Sequence, residues 1–270
     1  MTPVVLKLGG ELLETPAQRA RIAALAAAHA GRPLVVVHGG GRAIDAELQR
    51  KQIAPKKVDG LRITDAETLG VVVSVLAGSA NTELVAALVA AGVKGVGLTG
   101  VDAGFGRAVR NAPHQATDGR VVDLGFVGDP VDADGSLVRL LMSNGYIPVV
   151  ASIGFDAAGG GTMLNVNADV MACRIAAALG ECELAIAGGT AGVLDTQGRT
   201  IAALDLDGID EVISSGTATA GMVAKLASCR AALVAGVRTV RIIDGRSLDG
   251  THGMADAPGT VIERAGAHSS

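Results

Sequence analysis

Short apolar runs that end in glycine alternate with alanine-rich stretches along most of this 270-residue chain. Strand-like runs at 3–10 and 33–41 enclose a helical pattern from 17 to 29, and a further helical pattern covers 43–52. Strands that are apolar along their whole length are typical of parallel sheets with helices packed on both faces. The order therefore predicts an α/β fold, a three-layer α/β/α sandwich around a mainly parallel sheet.

The rest of the chain continues this alternation. Asp59 and Gly60 mark a turn in an irregular excursion or small hairpin, and the glycines between 103 and 128 predict several small strands. A second block opens near Gly180, so we predict two lobes, 1–179 and 180–270. The remaining predicted elements are helices at 66–91, 136–145, 206–216 and 221–236, and strands at 93–100, 146–154, within 182–195 and at 239–244.

The composition excludes several classes of function. A net charge of −4 gives no electrostatic footprint for nucleic acid or an anionic membrane, and three phenylalanines and one tyrosine offer little base-stacking surface. No uninterrupted apolar run approaches the roughly 18 residues of a membrane span, and no signal-peptide pattern opens the chain, so we expect a cytoplasmic protein. Cys173, Cys182 and Cys229 lack metal-ligand spacing and are expected to be buried, reduced thiols.

Three glycine-rich junctions fall at the carboxyl ends of predicted strands, where parallel α/β sheets bind their ligands. They are Gly9-Gly10, Gly39 to Gly41, and Gly188-Gly189, and each can present backbone N–H groups to a phosphate or carboxylate. Tight turns alone also explain such glycines. A dinucleotide fingerprint would need glycine in place of Ile44, and a Walker A loop would need Gly-Lys-Ser/Thr, so both motifs are excluded.

Several polar residues near these junctions each admit two explanations. Lys7 is the cation of an otherwise apolar strand and Lys225 lies one turn inside a long helix, but either can be an ordinary solvated lysine. Asp169 can be a helix N-cap or first-turn acid, with Asn165 as a loop donor. Arg62 suits a bidentate contact with a carboxylate, although such arginines are often simply exposed.

The histidines do not indicate a metal site. His29, His38, His114, His252 and His268 are scattered and lack a paired carboxylate or cysteine, so we predict no protein metal centre. His38 is expected to pack in the turn before the glycines rather than act as a base. No Gly-x-Ser-x-Gly motif supports a serine hydrolase.

Seven segments, taken in order, resemble the amino-acid kinase family, most closely its branch that acts on N-acetyl-L-glutamate. They are KLGGELL (7–13), PLVVVHGGGRAID (33–45), DGLRIT (59–64), LAGSANTEL (76–84), GYIPVVASIG (145–154), LNVNAD (164–169) and GMVAK (221–225). The resemblance covers nearly the whole chain. It implies the amino-acid kinase fold, with substrate binding and dimerisation in 1–179 and ATP binding in 180–270.

The resemblance also implies roles for the candidate residues. Lys7 and Lys225 flank the phosphoryl group in transfer, and Asp169 orients both lysines. The implied substrate contacts are Gly40 and Gly41, through backbone amides, Arg62, through the α-carboxylate, and Asn165. The implied reactants are ATP and N-acetyl-L-glutamate, in a step of arginine biosynthesis, with Mg²⁺ held mainly by the phosphates.

On the nucleotide side the chain departs from the family's pattern. Contacts with ATP are implied for Gly9, Gly10, Gly188, Gly189, Thr190 and Thr219. The family usually has an aspartate where this chain has Gly188, and an acidic residue where it has Ala220. These departures leave open a non-catalytic nucleotide-binding or amino-acid-binding regulator on the same fold.

The resemblance also leads to expectations about the oligomeric state and about the class of substrate. Arginine-inhibited, hexameric members have a helix before the first strand, which here begins by residue 3, so we expect a homodimer without that feedback. Binding of a nitrogen-signalling regulator stays open. The basic segment at 49–57 suits an acidic carrier protein, so a carrier-linked aminoadipate or glutamate kinase is the alternative, although LNVNAD resembles the enzymes of free N-acetylglutamate more closely.

Overall fold

The protein is described by a computed structural model that covers residues 1–29, 31–251 and 253–264. Its strands are β1 Val4–Leu8, β2 Leu34–His38, β3 Lys57–Val58, β4 Leu61–Arg62, β5 Gly95–Thr99, β6 Gly106–Arg110, β7 His114–Gln115, β8 Val121–Val122, β9 Val127–Ala133, β10 Ile147–Ala151, β11 Ile153–Asp156, β12 Met163–Val166, β13 Glu183–Gly188, β14 Ala203–Leu204, β15 Thr239–Asp244 and β16 Gly259–Glu263. Its α-helices are α1 Pro16–Ala28, α2 Gly41–Arg50, α3 Ala66–Val73, α4 Asn81–Ala90, α5 Gly135–Ser143, α6 Ala168–Leu179, α7 Leu206–Ser214 and α8 Ala220–Val234. A π-helical segment, Ser74–Ala80, joins α3 to α4.

A mainly parallel sheet forms the centre of the fold, as the alternating pattern predicts. Eight strands in the described part of the chain follow the order β14, β16, β15, β13, β1, β2, β10 and β5. Neighbouring strands are parallel except β15 and β16, which are antiparallel. Strands β14 and β16, which no sequence pattern predicted, form the edge of the sheet next to β15.

The two faces of the sheet bury different helices. Val4 and Leu6 of β1 pack in one cluster with residues of α1 and α4. Val5 packs in the other cluster, with residues of α6 and α8. Because side chains alternate along a strand, Lys7 shares the face of Val5 and points toward α6 and α8. The sandwich of helix, sheet and helix is therefore confirmed, and it decides which helices Lys7 meets.

Capping side chains determine where several helices begin. Thr15 and Gln18 form a capping box ahead of Pro16, the first residue of α1. Asp65 accepts the Thr68 N–H at 2.8 Å and so begins α3. These local signals explain why the predicted helix starts at 17 and 66 agree with the structure to within one residue.

A small closed barrel of four strands, β11, β12, β9 and β6, continues from the end of β10. The strand predicted at 146–154 is therefore divided, since β10 ends at Ala151 and β11 begins at Ile153. The prediction of Asn165 as a loop residue is wrong, because it lies in β12 and pairs in register with Val127 of β9. These pairings join residues far apart in sequence, which local periodicity does not report.

The central sheet is continuous across the predicted boundary at residue 180. β1 pairs with β13 from Val4 and Glu183 to Leu8 and Ala187. The segments 1–179 and 180–270 therefore share one sheet, and their division into two functional lobes stays a prediction.

The helical stretch from 66 to 90 is long and apolar enough, by length and composition alone, to cross a membrane, with a mean hydropathy of 1.7 in its most apolar window. Helices in protein cores meet the same criteria. Leu84 and Leu88 of α4 are fully buried in the cluster that also contains β1 and α1. Helix α4 therefore belongs to one helical layer of the sandwich. Of the most apolar window, 39% is buried within the chain.

Candidate active site

Two lysines from distant parts of the chain meet one carboxylate near the carboxyl end of β1. Lys7 Nζ lies 2.8 Å from Asp169 Oδ1, and Lys225 Nζ lies 3.3 Å from Asp169 Oδ2. The side chains of Lys7, Lys225 and Asp169 are 11%, 17% and 15% exposed, so solvent screens their interactions weakly. The structure thus brings these three predicted residues together in a cluster with one net positive charge.

Each member of the cluster is positioned by the element that carries it. Asn167 is the N-cap of α6, where its Oδ1 accepts the Asp169 N–H at 2.8 Å. Asp169 is therefore a first-turn acid and not the N-cap, and the helix dipole favours its negative charge. Lys225 lies in the second turn of α8, which packs against α6.

The pKa of Asp169 reflects opposing effects. Burial alone would raise the pKa of this carboxyl, but the charges of Lys7 and Lys225 and their hydrogen bonds outweigh burial and lower the pKa below its usual range. Asp169 is therefore an anion at physiological pH. It suits the task of holding two cations side by side rather than that of a proton donor.

Two glycine turns meet backbone to backbone beside the lysines. A Cβ at Gly10 would lie 2.7 Å from Gly40 Cα, so a side chain at this position would push the turns apart. Gly40 is the N-cap of α2 and Gly41 its first residue, and no side chain caps this helix. The first N–H groups of α2 are therefore available for an anion.

A cavity of about 370 Å³ joins these features, within the range of small-molecule sites. The predicted residues that line it are Lys7, Gly9, Gly10, Gly40, Gly41, Arg62, Asn165 and Asp169. The other predicted residues do not line this cavity: Lys225, Gly188, Gly189, Thr190 and Thr219. All contacts with ATP stay predictions.

The hairpin of β3 and β4 carries Arg62, which also lines the cavity. Arg62 Nη1 lies 2.6 Å from Asp45 Oδ1, and Nη2 donates to the Gly41 carbonyl at 3.1 Å. Lys57 Nζ lies 2.7 Å from Asp45 Oδ2. Burial acts to raise the pKa of Asp45, but hydrogen bonds and charges from Arg62 and Lys57 lower it overall. The side chain of Arg62 is only 8% exposed, so it is a fixed cation and not a solvated surface arginine.

Glu11 connects two glycine loops on the predicted nucleotide side. Its Oε1 accepts the Gly189 N–H at 2.9 Å, and its carboxylate also lies beside the α-carbon of Gly9. The first loop of the chain thus places a carboxylate at the turn where Gly188 replaces the family's usual aspartate. This contact brings Gly9, Gly188 and Gly189 into one region.

His38 is buried as the last residue of β2, so it lies directly before the glycine turn and not within it as predicted. Its Nε2 accepts from Asn81 Nδ2 at 3.1 Å, so the proton is on Nδ1, which lies 3.2 Å from the Gly39 carbonyl. Burial lowers the pKa of His38 to about 4, against a smaller raising effect of the hydrogen bond with Gly39. The imidazole is neutral at physiological pH and has no free nitrogen for base catalysis.

Acidification from pH 7 to 4 is expected to lower the free energy of unfolding through His38. The folded pKa is about 4, whereas an unfolded histidine titrates near pH 6.5. Between these two values only the unfolded state takes up the proton. The contribution of neutral His38 to the free energy of unfolding is therefore fully present above pH 6.5 and is smaller by roughly 3 kcal/mol at pH 4. Denaturant unfolding at pH 7, 5.5 and 4.5 should give a shallower pH slope for His38→Gln than for the wild type. Equal slopes would contradict the assignment.

Three residues of the site were missed by the sequence analysis. Asp45 lies one helical turn after Gly41, so its position on the same face of α2 was a usable signal. Glu11 directly follows a quoted Gly-Gly pair, but nothing local indicates a contact with Gly189. Asn111 lines the cavity from the end of β6, and it belongs to no motif.

The structure also bears on the cysteines and on possible metal sites. Cys173, Cys182 and Cys229 are buried and unpaired, as expected. Within residues 1–29, 31–251 and 253–264, no three His, Cys, Asp or Glu side chains form a group that could hold a metal ion. His252 and His268 lie outside the described residues.

Known proteins resemble this chain along most of its length. Residues 2–244 match the model of the amino acid kinase family. The acetylglutamate kinase of Geotalea daltonii is 38% identical over 248 residues, which cover 90% of this chain and 84% of that protein. That of Sorangium cellulosum is 40% identical over 267 residues, covering 96% and 93%. The crystal structure of smu.665 from Streptococcus mutans UA159 matches with a TM-score of 0.76 and 28% identity, over 97% of this chain and 98% of that one.

These relationships extend over the same segments that supply the lysine cluster, the two glycine turns and the buried arginine. The family model covers both the first strand, which carries Lys7, and the late helix, which carries Lys225. The chain belongs to the amino-acid kinase family.

Proposed function

We propose that this chain transfers the γ-phosphoryl group of ATP to the γ-carboxylate of N-acetyl-L-glutamate. The observation that carries the proposal is the cluster of Lys7, Asp169 and Lys225 beside a cavity that Arg62 also lines. A lysine cluster and a separate arginine in one cavity suit a dicarboxylate, of which one carboxylate reacts while the other is bound. The names of the relatives, acetylglutamate kinases, support this substrate.

The chemistry requires positive charge more than proton transfer. A carboxylate oxygen attacks the γ-phosphorus, a new O–P bond forms, and the bond to the bridging oxygen breaks as ADP leaves with the electron pair. Nucleophile and leaving group are both anions, so catalysis comes from positioning and from cations at the developing charge. Lys7 and Lys225 supply those cations, and Asp169 keeps them together against their repulsion.

The substrate is held along the cavity. Arg62, fixed by Asp45, binds the α-carboxylate, and Asn165 makes a further contact. The backbone amides of Gly40 and Gly41 face the reacting carboxylate. Because the ion pair with Asp45 fixes the Arg62 guanidinium, the substrate meets a cation that is already in place.

The nucleotide side is proposed to use both glycine-rich turns. The contacts with ATP are Gly9, Gly10, Gly188, Gly189, Thr190 and Thr219. Mg²⁺ would be held mainly by the phosphates, where it would add positive charge. The chain would act as a cytoplasmic homodimer in arginine biosynthesis, with 1–179 binding the amino acid and 180–270 binding ATP.

The carrier-linked alternative has weaker support in the structure than in the sequence. Two of the four cations in 49–57 are paired within the chain, because Lys57 lies 2.7 Å from Asp45 and Arg50 lies 2.7 Å from Glu47. They are less available to an acidic carrier protein. Ion pairs within the chain therefore account for two of the four positive charges of the basic segment.

An ADP-release assay with N-acetyl-L-glutamate, L-glutamate and L-2-aminoadipate tests the proposal. Turnover is expected with N-acetyl-L-glutamate, and hydroxylamine should trap the acyl phosphate product as a hydroxamate. Turnover only with a carrier-linked substrate would replace the proposal with its alternative. Binding of ATP without turnover of any acceptor would favour a regulator on a kinase fold.

A further inference from the structure

One buried polar atom that lines the cavity lacks a partner among the described residues. Four buried side-chain atoms in this part of the chain have no hydrogen bond of standard geometry: Asp45 Oδ1, Arg62 Nη1, Asp169 Oδ1 and Asn111 Oδ1. Arg62 Nη1 and Asp45 Oδ1 lie 2.6 Å apart in an ion pair, and Asp169 Oδ1 lies 2.8 Å from Lys7 Nζ. Only the amide oxygen of Asn111 has neither a hydrogen bond nor an opposite charge among the described residues.

An unpaired buried acceptor costs free energy unless a ligand satisfies it. Asn111 lines the same cavity as Arg62 and Asn165, so the group that would satisfy its oxygen is a donor on the bound substrate. This is a more specific indication than a polar residue at a pocket rim, because the oxygen is buried and has no protein donor among the described residues.

The backbone pairing places Asn111 in one row with Asn165, with Val127 between them. Asn165 of β12 pairs in register with Val127 of β9, and the Asn111 N–H donates to the Val127 carbonyl at 2.9 Å. The three residues therefore form one row across the barrel, and all three line the cavity. Residues in register on adjacent strands lie on the same face of a sheet.

The cavity provides one group for each substituent of an N-acylated amino acid. Arg62 is a cation for the α-carboxylate, Val127 and Leu61 are apolar surfaces for a methyl group, and Asn111 is an acceptor for an N–H. We infer that Asn111 determines specificity by accepting the hydrogen bond of the α-acylamido N–H. The inference rests on the proposed function and adds a residue that distinguishes an acylated from an unacylated or ester-linked substrate.

A rival interpretation comes from Asp129, which lines the same cavity and is exposed. A carboxylate there would attract the ammonium group of a free amino acid such as L-glutamate. Asn111 is neutral and its oxygen is buried, so it suits a neutral amide donor better, because an ammonium would lose more hydration on reaching it. The substrate comparison below separates the two.

The test compares N-acetyl-L-glutamate with L-2-acetoxyglutarate, an ester in which oxygen replaces the N–H. Wild-type enzyme is expected to have a kcat/KM about 10- to 100-fold lower for the ester, because the Asn111 oxygen loses its donor. In Asn111→Leu this ratio should fall below about threefold, mainly through slower reaction of the amide substrate. The wild-type comparison alone tests the inference if Asn111→Leu does not fold.

The outcomes distinguish this inference from the proposed function. Turnover of N-acetyl-L-glutamate with equal use of the ester, or an unchanged ratio in Asn111→Leu, would overturn the role of Asn111 and leave the kinase proposal intact. Preference for L-glutamate that disappears in Asp129→Asn would overturn both in favour of the ammonium site. As a control, Val121→Leu at an exposed position should keep the wild-type ratio.

Discussion

Replacing Lys225 with alanine is expected to lower kcat by about 10²- to 10³-fold while the KM for N-acetyl-L-glutamate changes little. Lys225 and Lys7 both contact Asp169, at 3.3 and 2.8 Å, so the wild-type cluster has one net positive charge. Without Lys225 the remaining pair is neutral. The cluster then cannot offset the charge that develops on the transferred phosphoryl group, so the transition state loses more stabilisation than the bound substrate does.

Steady-state kinetics with N-acetyl-L-glutamate and ATP measure this effect. Lys94→Ala is a matched control, because Lys94 is an exposed lysine that lies over the Tyr146 ring, at the amino end of the edge strand β5 and away from the carboxyl end of β1. Its kcat should stay within about twofold of the wild type. A Lys225→Ala enzyme whose kcat falls less than tenfold would show that the late lysine does not stabilise the transition state.

The sheet and most helices could be predicted because their signals are local. Apolar strands such as Val4–Leu8 are buried along their whole length, and this separates them from alternating surface strands. Helix α1 begins where Thr15, Pro16 and Gln18 supply a cap, a favourable first residue and a capping box. Alternation along β1 also predicts the face of the sheet on which Lys7 lies, but it does not predict which residues Lys7 contacts on that face.

The site was harder to predict because its contacts join distant segments. No periodicity relates Lys7 to Asp169 or Lys225, and their convergence was expected only because the chain resembles a known family. Where that resemblance gave no role, the contacts were missed: Glu11 with Gly189 and Asn111 with the row on the barrel. Both depend on strand pairings and turns whose partners lie far away in the chain.

Asp169→Asn is expected to lower the free energy of unfolding by about 3–5 kcal/mol, because two weakly solvated ammonium groups lose their counter-charge. Asparagine keeps the shape of the side chain, so lost charge and not a cavity accounts for the change. Denaturant unfolding at pH 7 measures the effect. Asp132→Asn is the control, since Asp132 is 58% exposed and lies 3.8 Å from Arg107, and a pair of this kind contributes about 0–1 kcal/mol.

The pH dependence of that difference separates charge from packing. The folded pKa of Asp169 is lowered, and an unfolded aspartate titrates near pH 3.9. The stabilisation by its carboxylate is therefore fully present above pH ~5 and is lost as the pH falls through the lowered folded value. Titration of His38 affects wild type and variant alike and cancels in the difference. A difference in unfolding free energy that persists unchanged at the lowest measurable pH would mean that Asp169 stabilises the fold by packing, and the two lysines would then need another partner.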